Sequence, residues 1–444
     1  MDKFDVLVLG GGFAGVSAAL RAAELGSKVC LIEKGEIGRV GFQRRNALFM
    51  ESRCPIISSI NWDEYKMALE AETEIYCLSI KDKLDAMGVS IVKGEGRLAN
   101  PGEISVQSKD KGHFLLKGKS VILACGSSPR FPSTLPHEDG VVISLEEIPQ
   151  LPALPEKILV IGEGPIACET ALGLQRRGCK VFLCSEQKNL FSEMDEDFNV
   201  VIERLLKEKK IKILAGKKMI SFYKNDPELE VTLETGIKFS VHLIIIAGDR
   251  VGGEEVSEIE KLGIRLGEHQ KVFVDEGMMT SLPTVYAVGS ITGELTSDTL
   301  SKEEGKVAAE NALGKKRKLN REWVPQLARL CPDVAYVGCN METAGRQGFH
   351  PVEGVFESEF SVGEKLAPSP VRERCKIVAD KRTRLIVGVQ IISNPASDWI
   401  TMLLLLIKKG VTVANLANVT YPEGSGINCL CEAARHCLRA LKAP

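Results

Sequence analysis

Glycines at a fixed spacing near the start of the chain could hold a dinucleotide. The run Gly10-Gly11-Gly12-Phe13-Ala14-Gly15 has the form G-x-G-x-x-G. In this pattern the first glycine permits a tight turn, the second lets a pyrophosphate approach the backbone, and the third lets a helix pack on a strand. Glu33 follows about 20 residues later, where an acidic residue accepts hydrogen bonds from ribose hydroxyls. The residues predicted to form this site are Gly10, Gly12, Phe13, Ala14, Gly15 and Glu33.

A second motif of the same kind begins at Gly162. Its last glycine is replaced by Ala167, which the pattern permits. Ser185 holds the usual position of the acid, and Glu186 stands one place later. An acid there favours NAD over NADP, because a 2′-phosphate requires arginine. Two motifs predict two dinucleotides, or one ancestral duplication in which one site has been lost. The residues assigned to the second site are Gly162, Gly164, Pro165, Ile166, Ser185 and Glu186.

Both motifs lie between segments that would position them. Residues 5–9 and 28–32 are short apolar runs typical of buried parallel strands, and residues 16–25 between them predict a helix. Because strand, helix, strand and terminal acid are in register, a dinucleotide site is favoured over a structural glycine turn. The second motif repeats this order, with predicted strands at residues 157–161 and 180–184 and a predicted helix at residues 168–178. Further buried strands are predicted at residues 120–124 and 242–248.

The remaining pattern predicts an α/β chain of three domains. Residues 61–87 are predicted to be helical, and residues 103–107 and 113–117 to pair as a meander. A small sheet is predicted at residues 219–240, after which residues 272–275 and 284–289 return to the first unit. From residue 322 onward the pattern is α+β. The predicted domains are residues 1–150 with 273–320 and residues 151–272, each for one dinucleotide, and residues 321–444.

Composition narrows the class of partner and compartment. With 44% hydrophobic and 26% charged residues, the 444-residue chain is typical of a globular protein. The net charge of −2 predicts no nucleic-acid partner. The longest apolar run, residues 399–407, is too short to cross a membrane, and the immediate first strand predicts no signal peptide. Thirteen scattered cysteines predict a reducing cytoplasm, with most thiols, Cys429 and Cys431 included, acting as packing residues.

The order of the motifs resembles the FAD- and NAD(P)-dependent pyridine nucleotide–disulfide oxidoreductases, the group of dihydrolipoamide dehydrogenase. The resemblance rests on both motifs, on Leu123 to Ser127, on Pro283 to Gly289 and on the C-terminal α+β region. It implies two Rossmann-like domains, the first for FAD and the second for NAD, and a C-terminal α+β domain that forms a homodimer. The further cofactor-binding residues that it implies are Lys34, Ala124, Gly126, Gly289 and Ser290 for FAD, and Glu169 and Gly248 for NAD.

The chain departs from this family where the family carries its redox disulfide. Members have two cysteines just after the first ribose-binding acid and then a lysine near the flavin, whereas no cysteine here lies between Cys30 and Cys54. Matching Gly41 to the family pattern puts Phe42 in place of the flavin-proximal cysteine and Asn46 in place of the lysine. Without two thiols, no disulfide can accept electrons from the flavin.

Two other departures concern the acid–base pair and the flavin itself. The family's histidine before a C-terminal proline is Tyr421 here, and its glutamate is Gly426. A tyrosine, with an ordinary pKa of about 10, is a poor proton shuttle at neutral pH. Soluble transhydrogenase resembles this chain in its tyrosine–proline pair and in lacking the cysteines. The family's aspartate beside the flavin is Ser290, which can hydrogen-bond but carries no charge.

Three functions remain open from the sequence. The first is an oxidoreductase in which a hydride passes from NADH to FAD and on to a small-molecule acceptor: a quinone, dye, metal ion, oxygen or second nicotinamide. The second is a disulfide reductase that uses a lone thiol, for which Cys54 is the nearest candidate. The third is a non-catalytic relative that binds nucleotide and a protein partner. The degenerate positions Phe42, Asn46 and Tyr421 favour the first.

Overall fold

The computed structural model describes residues 3–46, 60–248, 250–253, 256–293, 297–360, 371–394, 396–422 and 427–442. The chain divides into two compact units. One comprises Met1–Pro155 with His242–Asn320, and the other comprises Glu156–Val241 with Arg321–Pro444. The division into three domains, each with its own cofactor or interface, stays a prediction.

A parallel sheet organises the first unit. Its strands run in the order Ser90–Lys93, Val29–Glu33, Lys3–Leu9, Gly112–Leu123 and Val285–Ala287, all parallel to their neighbours. Alternate residues enter different cores: Val6 and Val8 pack in one, and Leu7 and Leu9 in the other. This follows from the two-residue period of a strand. Antiparallel strands and short pairs complete the unit: Glu95–Asn100 and Glu103–Ser108, Ser127–Pro129 with Arg250–Gly252, and Val142–Ser144 with Leu243–Ile246.

Helices cover this sheet. Ala18 and Ala19 of the first helix pack in one core with Val307 and Ala308, and a Cβ at Gly305 would lie 2.3 Å from the Ala14 carbonyl oxygen. Small residues therefore allow these two helices to approach closely. The α-helices are Phe13–Glu24, Arg39–Asn46, Trp62–Ala86, Val256–Lys261 and Asp298–Ala312, and the 3₁₀ helices are Leu145–Gln150, Glu268–Gln270 and Gly289–Thr292.

The second unit combines a nucleotide-type βαβ segment with an antiparallel sheet. Lys157–Ile161, Lys180–Ser185 and Lys212–Ala215 are parallel neighbours, with helices Gly164–Arg176 and Glu196–Glu208. Met219–Asn225, Glu228–Leu233 and Lys238–Val241 form the small antiparallel sheet that the sequence predicts. The C-terminal sheet has the order Gln326–Ala328, Asp333–Gly338, Ile386–Ser393, Val371–Asp380 and Pro351–Phe360. Its helices are Arg321–Trp323 (3₁₀), Met341–Arg346, Ala396–Lys408, Val413–Ala417 and Ile427–Lys442.

The predicted α/β class and the C-terminal α+β pattern are confirmed, and one local prediction is wrong. Residues 113–117 and 120–123, predicted as separate strands, belong to one strand, Gly112–Leu123. Residues 272–275 lie in the first unit, where Val272 forms an isolated bridge with Leu266. The stretch after Glu33 shows no regular apolar pattern in the sequence, yet it contains the helix Arg39–Asn46. Among the described residues, no helix is long and apolar enough to span a membrane.

Candidate active site

The first group of predicted cofactor residues gathers at one edge of the parallel sheet. Leu9 pairs with Ile32 and with Leu123, and Leu123 pairs with Ala287, so four strands end side by side. The residues that follow these strand ends are the first glycine motif, Glu33, Ala124 to Gly126, and Gly289 with Ser290. The carboxyl edge of parallel strands is where doubly wound sheets bind their ligands.

The three glycines of the first motif have different surroundings. Gly10 has φ +106°, and a Cβ there would lie 2.3 Å from the Ala124 carbonyl oxygen. A Cβ at Gly15 would lie 1.9 Å from the Gly10 carbonyl oxygen, so this glycine lets the helix pack on the strand end. A Cβ at Gly12 meets no atom within 4 Å. The space in front of Gly12 is what a pyrophosphate needs, and the helix that begins at Phe13 directs its N-terminus there.

Glu33 is fixed at the end of the adjacent strand. Its carboxylate accepts hydrogen bonds from the Gly11 N–H at 2.6 Å and from the Gly35 N–H at 2.7 Å, one on each oxygen. Each oxygen keeps a further lone pair, so the carboxylate can still accept from ribose hydroxyls. Lys34 is exposed beside it. These residues fit the ADP half of a dinucleotide.

Ser290 lies within the same strand-end group. Its Oγ is 4.0 Å from where a Cβ on Gly126 would lie. Gly289 has φ +77°, and its N–H donates to the buried Glu304 carboxylate at 2.7 Å. The Ser290 hydroxyl therefore lies next to the two glycines that the sequence assigns to the same cofactor.

The second motif offers fewer donors at its helix start. Gly164 has φ +73°, and a Cβ there would meet no atom within 4 Å, so the backbone is open to a ligand. The Gly164 N–H, however, donates to the Leu190 carbonyl at 2.7 Å, and Pro165 has no N–H. The next N–H is that of Ile166. The N–H of Gly162 donates to the Cys184 carbonyl at 3.0 Å and continues the parallel ladder.

The acid at the second strand end is paired. Glu186 is exposed, and its carboxylate lies 3.1 Å from the Lys218 ammonium. Ser185 is buried; its hydroxyl donates to Glu163 at 3.3 Å and accepts from the Gln187 N–H at 3.0 Å. Neither Lys218 nor Glu163 is predicted from the sequence to belong to this site. Lys218 comes from a distant part of the chain, so spacing carried no signal for it, whereas Glu163 lies inside the motif.

Two other residues assigned to NAD have different settings. Glu169 is 1% exposed, and its carboxylate accepts a hydrogen bond from the Arg329 N–H at 2.7 Å. Gly248 follows the strand Leu243–Ile246 in the first unit. The roles of both toward nicotinamide stay predictions.

The helix Arg39–Asn46 carries Phe42 and Asn46, which the resemblance predicts to replace the family's redox cysteine and lysine. The Phe42 ring stacks on Tyr76, with centroids 4.5 Å apart and 22° between the planes, and Phe13 meets Tyr76 edge-on at 6.2 Å. Burial raises the pKa of Tyr76 to about 12. The Asn46 side-chain amide donates to the Phe42 carbonyl at 2.9 Å, four residues earlier in the same helix. Tyr76 cannot be predicted as a neighbour of Phe42 from the sequence, because the contact joins two separate helices.

A cavity of about 300 Å³ lies beside this helix. Arg39 and Gln43 both bond to Glu70 on its wall, at 2.7 and 3.0 Å. Its lining combines carboxylates, amides and one lysine with a leucine and a proline: Gln43, Lys66, Leu69, Glu70, Glu146, Pro149 and Gln150. The cavity can therefore admit a small polar molecule within the first unit.

Tyr421, which the resemblance predicts to replace the family's histidine, is hydrogen-bonded to the helix Ile427–Lys442. Its hydroxyl lies 2.7 Å from Asn428 Oδ1 and accepts from Arg435 at 3.5 Å. Cys54, Ala47, Leu48 and Gly426 lie outside the described residues. All cysteines within the described ranges are free thiols, and Cys429 and Cys431 are buried as predicted for packing residues.

The fold and the two glycine motifs define an oxidoreductase of the class that binds two dinucleotides. Residues 4–312 match the family model for "Pyridine nucleotide-disulphide oxidoreductase", and residues 324–424 match that for its dimerisation domain. The chain belongs to this family. Its members use FAD and NAD(P)H, and the dimerisation domain supports a homodimer.

The similarity to named relatives covers nearly the whole chain. Dihydrolipoyl dehydrogenase of Thermus scotoductus is 28% identical, with 98% of this chain and 97% of the relative covered. Mercuric reductase of Staphylococcus aureus is 24% identical, with 94% and 80% covered. Among solved structures, the Cu(II) complex of the flavoprotein disulfide reductase RclA from Escherichia coli has a TM-score of 0.84 at 19% identity, with 98% and 99% covered. LpdA from Mycobacterium tuberculosis has a TM-score of 0.83 at 22% identity, with the same coverage.

Proposed function

We propose that this chain oxidises NADH through FAD and passes the electrons to a small-molecule acceptor that is not a disulfide. The observation that carries the proposal concerns Phe42, which takes the position that the family gives to a cysteine. Phe42 lies in the helix Arg39–Asn46, and its ring stacks on that of Tyr76 in another helix. The sequence supports the same conclusion, because no cysteine lies between Cys30 and Cys54.

The roles of the residues follow from their settings. Gly12 leaves space for the pyrophosphate, Glu33 accepts from ribose hydroxyls, and Ser290 supplies a neutral hydrogen bond further along the cofactor. FAD, when bound, accepts a hydride from nicotinamide and releases electrons to an acceptor. Phe42 and Tyr76 contribute an apolar surface that excludes water, and Asn46, bonded to its own helix, supplies no charge.

An anaerobic titration of the purified flavoprotein with NADH tests the proposal. We expect the flavin absorbance to bleach fully at about one NADH per FAD, because no disulfide stores a second pair of electrons. Quinones, dyes or ferric complexes should reoxidise the protein, whereas lipoamide and glutathione disulfide should not. A Cys54→Ser variant is the control for a lone-thiol mechanism and should behave as the wild type.

Other outcomes assign the chain to the alternatives. Consumption of about two NADH per FAD, or turnover of lipoamide that Cys54→Ser abolishes, would make the chain a disulfide reductase. Protein that is colourless after gentle purification and takes up no added FAD would make it a non-catalytic relative.

A further inference from the structure

A histidine and two carboxylates converge in the segment between the strands Ser127–Pro129 and Val142–Ser144 and in the 3₁₀ helix that follows. His137 Nε2 lies 2.7 Å from Glu147 Oε1 and 3.7 Å from Asp139 Oδ1. The three ligand-type atoms all lie within 4.8 Å of one another. This cluster belongs to neither glycine motif, and the proposed reaction does not use it.

The surrounding structure orients two of these side chains. Glu147 Oε2 accepts from the Ser144 N–H at 2.8 Å and from the Ser144 hydroxyl at 2.6 Å, which leaves Oε1 directed at His137. The Phe131 ring meets the His137 ring edge-on at 5.0 Å. The chain turns between His137 and Glu147, and there the Glu138 N–H donates to the Val142 carbonyl at 2.9 Å. Carboxylates that bind a metal are usually oriented by hydrogen bonds of this kind, with Ser144 here as the partner of Glu147.

We propose that His137, Asp139 and Glu147 bind one divalent transition-metal ion, with water in the remaining positions. Ligands about 2.1 Å from a tetrahedral ion lie about 3.4 Å from one another. The separations of 2.7 and 3.7 Å bracket this value, so small side-chain rotations complete the site. One imidazole and two carboxylates suit zinc or manganese, and the absence of thiolate from the set disfavours copper(I).

Metal at this site would stiffen one wall of the cavity beside the helix Arg39–Asn46. Glu147 lies in the 3₁₀ helix Leu145–Gln150, whose residues Glu146, Pro149 and Gln150 line that cavity. Glu146 is also ion-paired with the buried Arg250 at 2.7 Å. A metal ion would join this helix to the turn at residues 137–139, so that its binding links the turn to the cavity wall.

Titration of untagged, chelator-treated protein with Mn²⁺ tests the site, with the EPR signal of free Mn²⁺ as the readout. Mn²⁺ prefers oxygen and nitrogen ligands, so the thirteen cysteines compete little for it. We expect one saturable Mn²⁺ per chain and displacement by excess Zn²⁺. Affinity should fall at least about tenfold in His137→Ala and in Glu147→Gln, which keeps a side chain able to bond to Ser144.

Two variants separate loss of a ligand from loss of folding. Asp139→Asn changes a side chain that is 97% exposed, so it should weaken Mn²⁺ binding without changing the circular dichroism or melting temperature. His113→Ala removes an exposed imidazole that bonds to Ser105 elsewhere in the unit, and it should bind Mn²⁺ as the wild type does. The proposal is overturned if the wild type shows no saturable site, or if His137→Ala and Asp139→Asn bind with unchanged affinity.

Discussion

In the first motif, the fold and the cofactor require different glycines. Gly10 and Gly15 are in tight contact with backbone atoms, whereas Gly12 faces open space. Gly12 also has φ −73° and ψ −174°, an extended conformation that any residue adopts. A side chain at Gly12 would therefore be compatible with the protein chain and would conflict only with a bound pyrophosphate.

The first prediction follows from this difference. Gly12→Val should fold with nearly wild-type circular dichroism and melting temperature but should contain no flavin, because the isopropyl group occupies the space for the pyrophosphate. Gly15→Val is the contrast, since its Cβ would lie 1.9 Å from the Gly10 carbonyl oxygen and the helix would be displaced. We expect that variant to be insoluble or strongly destabilised. Normal FAD content in Gly12→Val would show that the cofactor does not approach this glycine.

The choice between NADH and NADPH depends on one ion pair. The sequence predicts a preference for NADH because Glu186 would repel a 2′-phosphate, yet this carboxylate is paired with Lys218. Glu186→Gln should release the Lys218 ammonium to bind a 2′-phosphate. We expect kcat/KM for NADPH to rise several-fold and that for NADH to change little, since the pair is exposed and screened by salt.

The double variant Glu186→Gln/Lys218→Met is the control for this second prediction. This variant should not show the increase in kcat/KM for NADPH, because neither charge remains. If the wild type already reduces its flavin with NADPH as fast as with NADH, the predicted preference is wrong. A gain that persists in the double variant would mean that Lys218 is not the group that binds the phosphate.

The elements that the sequence predicts well are those whose pattern is local. The βαβ segments around both motifs are confirmed, because buried strands and small-residue helices follow from nearby residues. The helix Arg39–Asn46 was missed because its residues have no apolar period and it is stabilised by distant partners, Tyr76 and Glu70. Pairing of Lys218 with Glu186 was missed for the same reason: the two residues lie 32 positions apart.

A helix start carries the third prediction. In the second motif the Gly164 N–H is used by the Leu190 carbonyl and Pro165 has none. Pro165→Ala adds one backbone donor at the end of the helix that faces the pyrophosphate. We expect KM for NADH to fall about fivefold, which corresponds to a net hydrogen bond of about 1 kcal/mol, with kcat nearly unchanged. An unchanged KM in a variant of normal stability would show that the pyrophosphate does not contact this position.

At the scale of the whole molecule, the relevant feature is the C-terminal region. It has a hydrophobic core, and it also exposes apolar side chains. Ile400, Leu403 and Ile407 of the helix Ala396–Lys408 are buried against the sheet. On the same helix, Met402 is 44% exposed and Leu405 is 57% exposed. One exposed leucine needs no explanation, but two apolar side chains three positions apart lie on one face of a helix. This helix falls within the residues that match the family's dimerisation domain.

The last prediction concerns assembly through this face. A two-fold contact uses the same patch on both copies, so one substitution changes the interface twice. Leu405→Glu should therefore weaken the homodimer about a hundredfold and give monomers at micromolar concentration, where light scattering should find the wild type dimeric. Val200→Glu is the matched control, because Val200 is 54% exposed on the helix Glu196–Glu208, outside residues 321–444. A monomeric wild type would contradict the prediction of a homodimer, and a dimeric Leu405→Glu variant would place the interface on another part of the C-terminal region.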